Sequence, residues 1–198
     1  MRRTKRLHSI RTGLGHRTVV FVGMMGCGKS AIGRLLASEL ELPFHDSDAE
    51  IVEAAGMPIA EIFSRFGEDY FRKGEQRVIS RLLSEGPGVL SLGGGAFLAA
   101  NTREEIAQKG ISIWLKADID LLLARVMRRP GTRPLLQTAD PRATLADLLD
   151  KRTPFYEQAD LHVESSRLSK KMTCENVVRS LAAWLPDHPA LAQEETGE

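Results

Sequence analysis

Glycines at 23, 26 and 28 followed at once by Lys29 and Ser30 spell G-x-x-x-x-G-K-S, a pattern whose chemistry is the holding of nucleotide phosphates. Backbone without Cβ atoms can turn consecutive N–H groups inward around a β-phosphate at a helix N-terminus. Lys29 adds a mobile cation for the β- and γ-phosphates. The Ser30 hydroxyl stands where it can ligate the Mg²⁺ that bridges them. The nucleotide-contacting run is therefore Gly26, Cys27, Gly28, Lys29, Ser30 and Ala31. A glycine-rich turn with no ligand is the alternative. It is disfavoured by the β-branched Val19–Val22 before the loop and the periodic Ile32, Leu35, Leu36 and Leu40 after it.

Two carboxylates form the second constellation. Phe44-His45 leads into Asp46-Ser47-Asp48, and no other apolar run ends in the acid that usually holds the metal of such a site. Asp46 is the best candidate to orient Mg²⁺, directly or through water. Asp48, two residues on, shares a face with Asp46 if the chain is extended there, and suits hydrogen bonding to an acceptor hydroxyl and removal of its proton. Helix capping by Ser47 or Asp48 is the competing reading. The run Val89–Leu92 ends in Gly93-Gly94-Gly95, where bare backbone can approach a small ligand, or simply turn. Arg128, Arg129 and Arg133, set among Pro130, Gly131 and Pro134, suit a lid that closes on phosphates; a solvated basic loop is the alternative.

The elements that must position these groups alternate. Strands are expected at 19–22, within 42–48 with Asp46 and Asp48 at the carboxyl end, and at 89–92, 111–115 and 161–163, with helical periodicity after the phosphate loop, through Ile51, Ile59, Ile62, Phe71, Val78 and Leu82, at Leu121–Val126 and at Val177–Leu185. Such alternation implies a three-layer α/β/α fold around a parallel sheet, with ligands at the carboxyl ends of the strands. Every motif above falls at such an end or in the loops above it.

With 198 residues, 42% hydrophobic, the chain has the size of one domain, and a net charge of +1 provides no global field to recruit nucleic acid. Two cysteines make no disulfide framework, and no apolar run approaches a membrane span. A cytoplasmic location is expected. Residues 1–17 carry Arg2, Arg3, Lys5, Arg6, Arg11 and Arg17 without an acid or a secretory apolar segment, and are expected to be a disordered basic arm. Residues 186–198 are expected to fray.

These motifs, in order, resemble shikimate kinase over Val19 to about Ala159. Gly23–Ser30 is similar to its phosphate loop, Asp46-Ser47-Asp48 to its D-x-D step, and Phe71-Arg72 with Glu75 to F-R-x-x-E. Ser91-Leu92-Gly93-Gly94-Gly95-Ala96 resembles S-L-G-G-G-A, Arg133-Pro134-Leu135-Leu136 the lid, and Arg152, Tyr156 and Ala159 the R-x-x-x-Y-x-x-A helix. The resemblance implies a P-loop fold like that of nucleoside-monophosphate kinases, with residues 18–185 as one kinase domain and a mobile lid at about 128–138. It implies phosphorylation of the 3-hydroxyl of shikimate by ATP, assisted by Mg²⁺. By position it implies Asp48 as base and hydroxyl ligand, Arg72 and Arg152 on the substrate carboxylate, Gly94 and Gly95 against the ring hydroxyls, and Lys29 and Arg133 on the ATP phosphates. The forks of two arginines agree with an acidic substrate. Surface ion pairs, Arg72 with Glu68 or Glu75 and Arg152 with Asp147 or Asp150, are the bland alternative. Ser165–Lys170, after the last strand, departs from the family pattern, and no adenine contact is assigned there.

Two other functions stay open on the residues. A gluconate-kinase-like enzyme would not need paired carboxylate-binding arginines, and a non-catalytic ATP-binding regulator would not need Asp48. A monomer without nucleic-acid or membrane partners is expected.

Overall fold

The structure is a computed structural model that describes residues 2–128, 138–165 and 169–189. Five parallel strands form its sheet: β1 (Thr18–Val22), β2 (Phe44–Asp46), β3 (Val89–Ser91), β4 (Gly110–Lys116) and β5 (Leu161–Glu164), in the order β2-β3-β1-β4-β5. β1 is central, pairing Val20 with Leu90 on one side and with Ser112 on the other. All its residues are buried, as a β-branched strand covered on both faces should be. Crossover helices cover the sheet: α1 (Arg2–Leu14), α2 (Lys29–Leu40), α3 (Ser47–Ala55), α4 (Ile59–Ser84), α5 (Ala100–Lys109), α6 (Ile119–Val126), α7 (Pro141–Tyr156) and α8 (Lys170–Trp184). One group packs α1, α2 and α8 together; α4 packs on α3 and α5, and α6 on α7. The layers are those expected from the alternation of strands and helices.

The basic N-terminal arm is not a disordered segment. Residues 2–14 form α1, because Leu7, Ile10 and Leu14 recur at helical spacing and close over α8 and α2, with Ile10 and Leu14 fully buried. Arg3 pairs with Glu39 at 2.6 Å and Arg11 with Glu41 at 2.8 Å, tying α1 to α2 and its C-terminal end. The Arg17 guanidinium donates to the carbonyls of Gly13, at 2.8 Å, and Leu14, at 3.2 Å, closing the helix end. Leu14→Ala should therefore destabilise the protein by about 2–5 kcal/mol, the range for a buried leucine, which thermal unfolding would read. An unchanged melting temperature would mean that α1 lies on the domain without supporting it.

α4 bends at Gly67, whose φ of 81° and ψ of 176° are not helical. The bend separates a first arm bearing Phe63 from a second arm bearing Phe71, Arg72 and Glu75. At the other end of the domain, the chain beyond Trp184 makes a short 3₁₀ turn over Leu185–Asp187. Residues 190–198 of the expected tail, and 129–137 of the expected lid, lie outside the described residues.

Candidate active site

A cleft of about 420 Å³ opens at the carboxyl ends of β1, β2 and β3, lined by the phosphate loop, Asp46, Asp48, Ser91 to Gly94, and at its far end Arg125, Arg128, Ser165, Lys170 and Thr173. The loop geometry follows from its glycines. Gly28, with φ 108°, begins α2 in a conformation that a side chain would resist, and the following backbone turns directly into the helix. The Lys29 ammonium folds over the loop and donates to the Gly23 carbonyl at 2.8 Å and that of Met24 at 3.1 Å. The Ser30 hydroxyl donates to the Asp46 carboxylate at 2.6 Å and touches the Ser91 hydroxyl at 3.2 Å. Sixteen residues apart in sequence, Ser30 and Asp46 are thus brought together as the metal reading requires.

The path of the chain through the carboxylates differs from the expectation. β2 stops at Asp46, and α3 begins at Ser47, so Asp48 enters the cleft from the first turn of a helix and not from an extended strand. Asp46 itself is the N-cap, its other oxygen accepting from the Asp48 N–H at 3.2 Å; neither Ser47 nor Asp48 has that role. Ser47, fully buried, accepts instead from the Gly93 N–H at 2.9 Å and locks the start of α3 to the glycine triplet.

Each glycine of the triplet lies against one chemically active side chain. A Cβ on Gly93 would stand 2.5 Å from Asp48 Oδ1, one on Gly94 3.1 Å from Arg152 Nη1, and one on Gly95 2.9 Å from Arg72 Nη2. Asp48, Arg72 and Arg152 therefore converge on one short stretch of bare backbone, although they come from α3, α4 and α7. Arg152 is buried and donates to the Gly94 carbonyl at 3.3 Å, while of the two ion partners open to it in sequence, Asp147 and Asp150, the first pairs with Lys151. Tyr156, one turn further along α7 and fully buried, donates to the same carbonyl at 2.5 Å. Burial pushes its phenol up to about 12, so it remains a donor at neutral pH.

Arg72 makes the ion pairs open to it in sequence without leaving the cleft. It pairs with Glu75 at 2.7 Å and with Glu68 at 3.2 Å, and it still reaches the triplet. Glu75 is the anchor of the two: only 5% of its side chain is exposed, against 65% for Glu68. Burial raises the Glu75 carboxyl above its ordinary value, Arg72 opposes that rise and nearby Asp48 adds to it. Burial works against the Arg72 charge, but its bonds to Glu75 and Glu68 outweigh it and hold the guanidinium above its ordinary value.

Three contributors escaped the sequence: Ser47, Ser91 and Arg125. Arg125 Nη1 donates to the carbonyls of Gly26 at 3.2 Å and Cys27 at 3.0 Å, and its one visible sign was a lone charge in the apolar run Leu121–Val126. Arg133, expected on the phosphates, and Arg129 lie outside the described residues.

Comparison with known proteins agrees with this architecture. The family model for shikimate kinase matches residues 25–184. A shikimate kinase of Bradyrhizobium diazoefficiens is 54% identical over 89% of this chain and 84% of its own, and one of Ruegeria pomeroyi is 56% identical over 84% and 86%. A solved shikimate kinase from Acinetobacter baumannii in complex with shikimate superposes with a TM-score of 0.82 at 35% identity, covering 89% of this chain and 97% of that one. A gluconokinase from Sinorhizobium meliloti, at 21% identity and a TM-score of 0.60 over 86% and 94% of the two chains, shares the fold alone. With the Gly26–Ser30 part of its phosphate loop, its carboxylate step and its glycine triplet inside the span that the family model matches, the chain belongs to the shikimate kinase family.

Proposed function

We propose that this protein transfers the γ-phosphoryl group of ATP to the 3-hydroxyl of shikimate, giving shikimate 3-phosphate and ADP. The observation that carries the reading is the convergence of Asp48, Arg152 and Arg72 on Gly93, Gly94 and Gly95, within the same cleft as the phosphate loop. Two guanidinium groups beside a carboxylate base describe a substrate that is at once an acid and an alcohol. Each charge-assisted bond from arginine to carboxylate contributes on the order of 1.5–3 kcal/mol, enough to prefer an acid over a neutral sugar.

Arg72, braced by Glu75, and buried Arg152 grip the substrate carboxylate and turn the ring so that one hydroxyl faces Asp48. The Gly94 and Gly95 backbone, held by Tyr156 and bare of side chains, lies against the ring hydroxyls. Asp48 accepts the hydroxyl proton as the new O–P bond forms and the bond from Pγ to the bridging oxygen of ADP breaks. Lys29 and the N-terminal N–H groups of α2 take up the charge on the phosphates. The hard oxygens of Ser30 and Asp46, 2.6 Å apart at that helix start, fit Mg²⁺ completed by phosphate oxygens and water. When bound, Mg²⁺ neutralises developing phosphate charge. Arg133 joins this proposal through the sequence resemblance.

We infer a single domain that works as a monomer in the cytoplasm. No helix among the described residues is long and apolar enough to cross a membrane. Coupled ADP release with Mg·ATP, run with shikimate, quinate, gluconate and no acceptor, tests the reading. Release that depends on shikimate is expected. Release with gluconate alone would overturn the acceptor, and ATP binding without any turnover would favour a regulator.

A further inference from the structure

Ser165 follows directly on β5, and its backbone is fixed because its N–H donates to the Lys116 carbonyl at 2.6 Å, extending the pairing with β4. Its side chain is buried and turned toward the phosphate loop. The hydroxyl donates to the Cys27 carbonyl at 2.5 Å and accepts from Arg125 Nη1 at 3.0 Å, while the same guanidinium reaches the Cys27 carbonyl directly at 3.0 Å. One loop carbonyl is thus held twice, from the end of β5 and from α6.

The peptide that follows Cys27 is planar and trans, so its C=O and the N–H of Gly28 point in opposite directions. Holding the carbonyl against Ser165 and Arg125 aims the Gly28 N–H away from them. That peptide needs such a hold. Gly28, at φ 108°, has no Cβ to resist rotation of the peptide plane, and Gly26, at φ 84°, loosens the other side of Cys27. The glycines that let the loop wrap a phosphate also let it turn its donors away.

We propose that Ser165, together with Arg125, is a positioning residue of the nucleotide site, which fixes the Cys27–Gly28 peptide so that the Gly28 N–H faces the phosphate chain of the nucleotide. The proposal rests on reading the loop as the phosphate site of a kinase. Its effect falls on the polyphosphate and not on the base or the acceptor.

Calorimetric binding of Mg·ADP and of tripolyphosphate, which has no base, separates these. Ser165→Ala should weaken both by a similar factor, roughly five- to tenfold as for one lost hydrogen bond, with the KM for shikimate changed less than about twofold. Ser165→Thr, which keeps the hydroxyl, should restore both. Unchanged binding by Ser165→Ala would overturn the proposal. Loss of ADP affinity with tripolyphosphate unaffected would also overturn it, because it would assign Ser165 to the base. Wild-type protein that binds neither ligand would overturn the kinase reading, a result distinct from either failure. Should Ser165→Ala not fold, a Ser165→Thr protein that folds yet binds tripolyphosphate as weakly as a non-binding control would overturn the proposal too.

Discussion

Asp48→Asn should bind ATP as the parent does and turn over at least ~100-fold more slowly, the lower range for losing a positioned acid–base group. Asparagine keeps the volume and one acceptor oxygen, so it can still orient the hydroxyl, but it cannot take the proton. ATP affinity should survive because Lys29 is held by the Gly23 carbonyl, Ser30 by the Asp46 carboxylate, and Asp46 by the backbone N–H of Asp48, which asparagine keeps. Single-turnover rates measured beside calorimetric ATP binding give both numbers. Near-normal turnover would remove Asp48 from the base role. In a loose phosphoryl-transfer transition state little proton removal precedes bond formation, so the pH dependence of the residual rate would show which role matters more.

What could be read from the chain depended on whether the determining contacts were local. The phosphate loop was legible because its chemistry lies within eight consecutive residues, Gly23 to Ser30, that need only a strand before and a helix after. Strand order, by contrast, had to wait for the structure, where β3 inserts between β1 and β2. The α1 helix was missed because its charge was weighed and its Leu7, Ile10, Leu14 spacing was not, though that spacing was in plain sight. The start of α3 was missed for another reason. The capping alternative lay on Ser47 and Asp48, whereas it is Asp46 that caps the helix with one oxygen and meets Ser30 with the other. Arg72 shows that an ion pair need not compete with a place in the cleft, since the pair with Glu75 leaves the guanidinium against the glycine triplet. Ser47, Arg125 and Ser165 act across 46 to 138 residues of sequence, on the triplet or on the loop, and no local pattern announces such a contact.

The glycine triplet yields the second large effect. Gly93 has no positive φ, so its backbone tolerates alanine; what alanine lacks is room, since its Cβ would stand 2.5 Å from Asp48 Oδ1 and 3.3 Å from Glu75 Oε1. The easiest relief is rotation of the Asp48 side chain, a short movable group, rather than a shift of β3, which is buried between β1 and β2. Gly93→Ala should therefore fold, with a melting temperature within roughly 4 °C of the parent, the shift expected for about 1 kcal/mol in a domain of this size. It should nonetheless lose about 100-fold in kcat, because displacing a reacting group by an ångström is enough for that loss. If the damage runs through Asp48, the two substitutions will not add: in an Asp48→Asn background, Gly93→Ala should cost less than about threefold, as expected for residues in contact. A full second 100-fold loss in the double variant would mean that the alanine disturbs the ring-binding backbone itself. Gly93 would then act on the substrate directly and not by leaving space for the base.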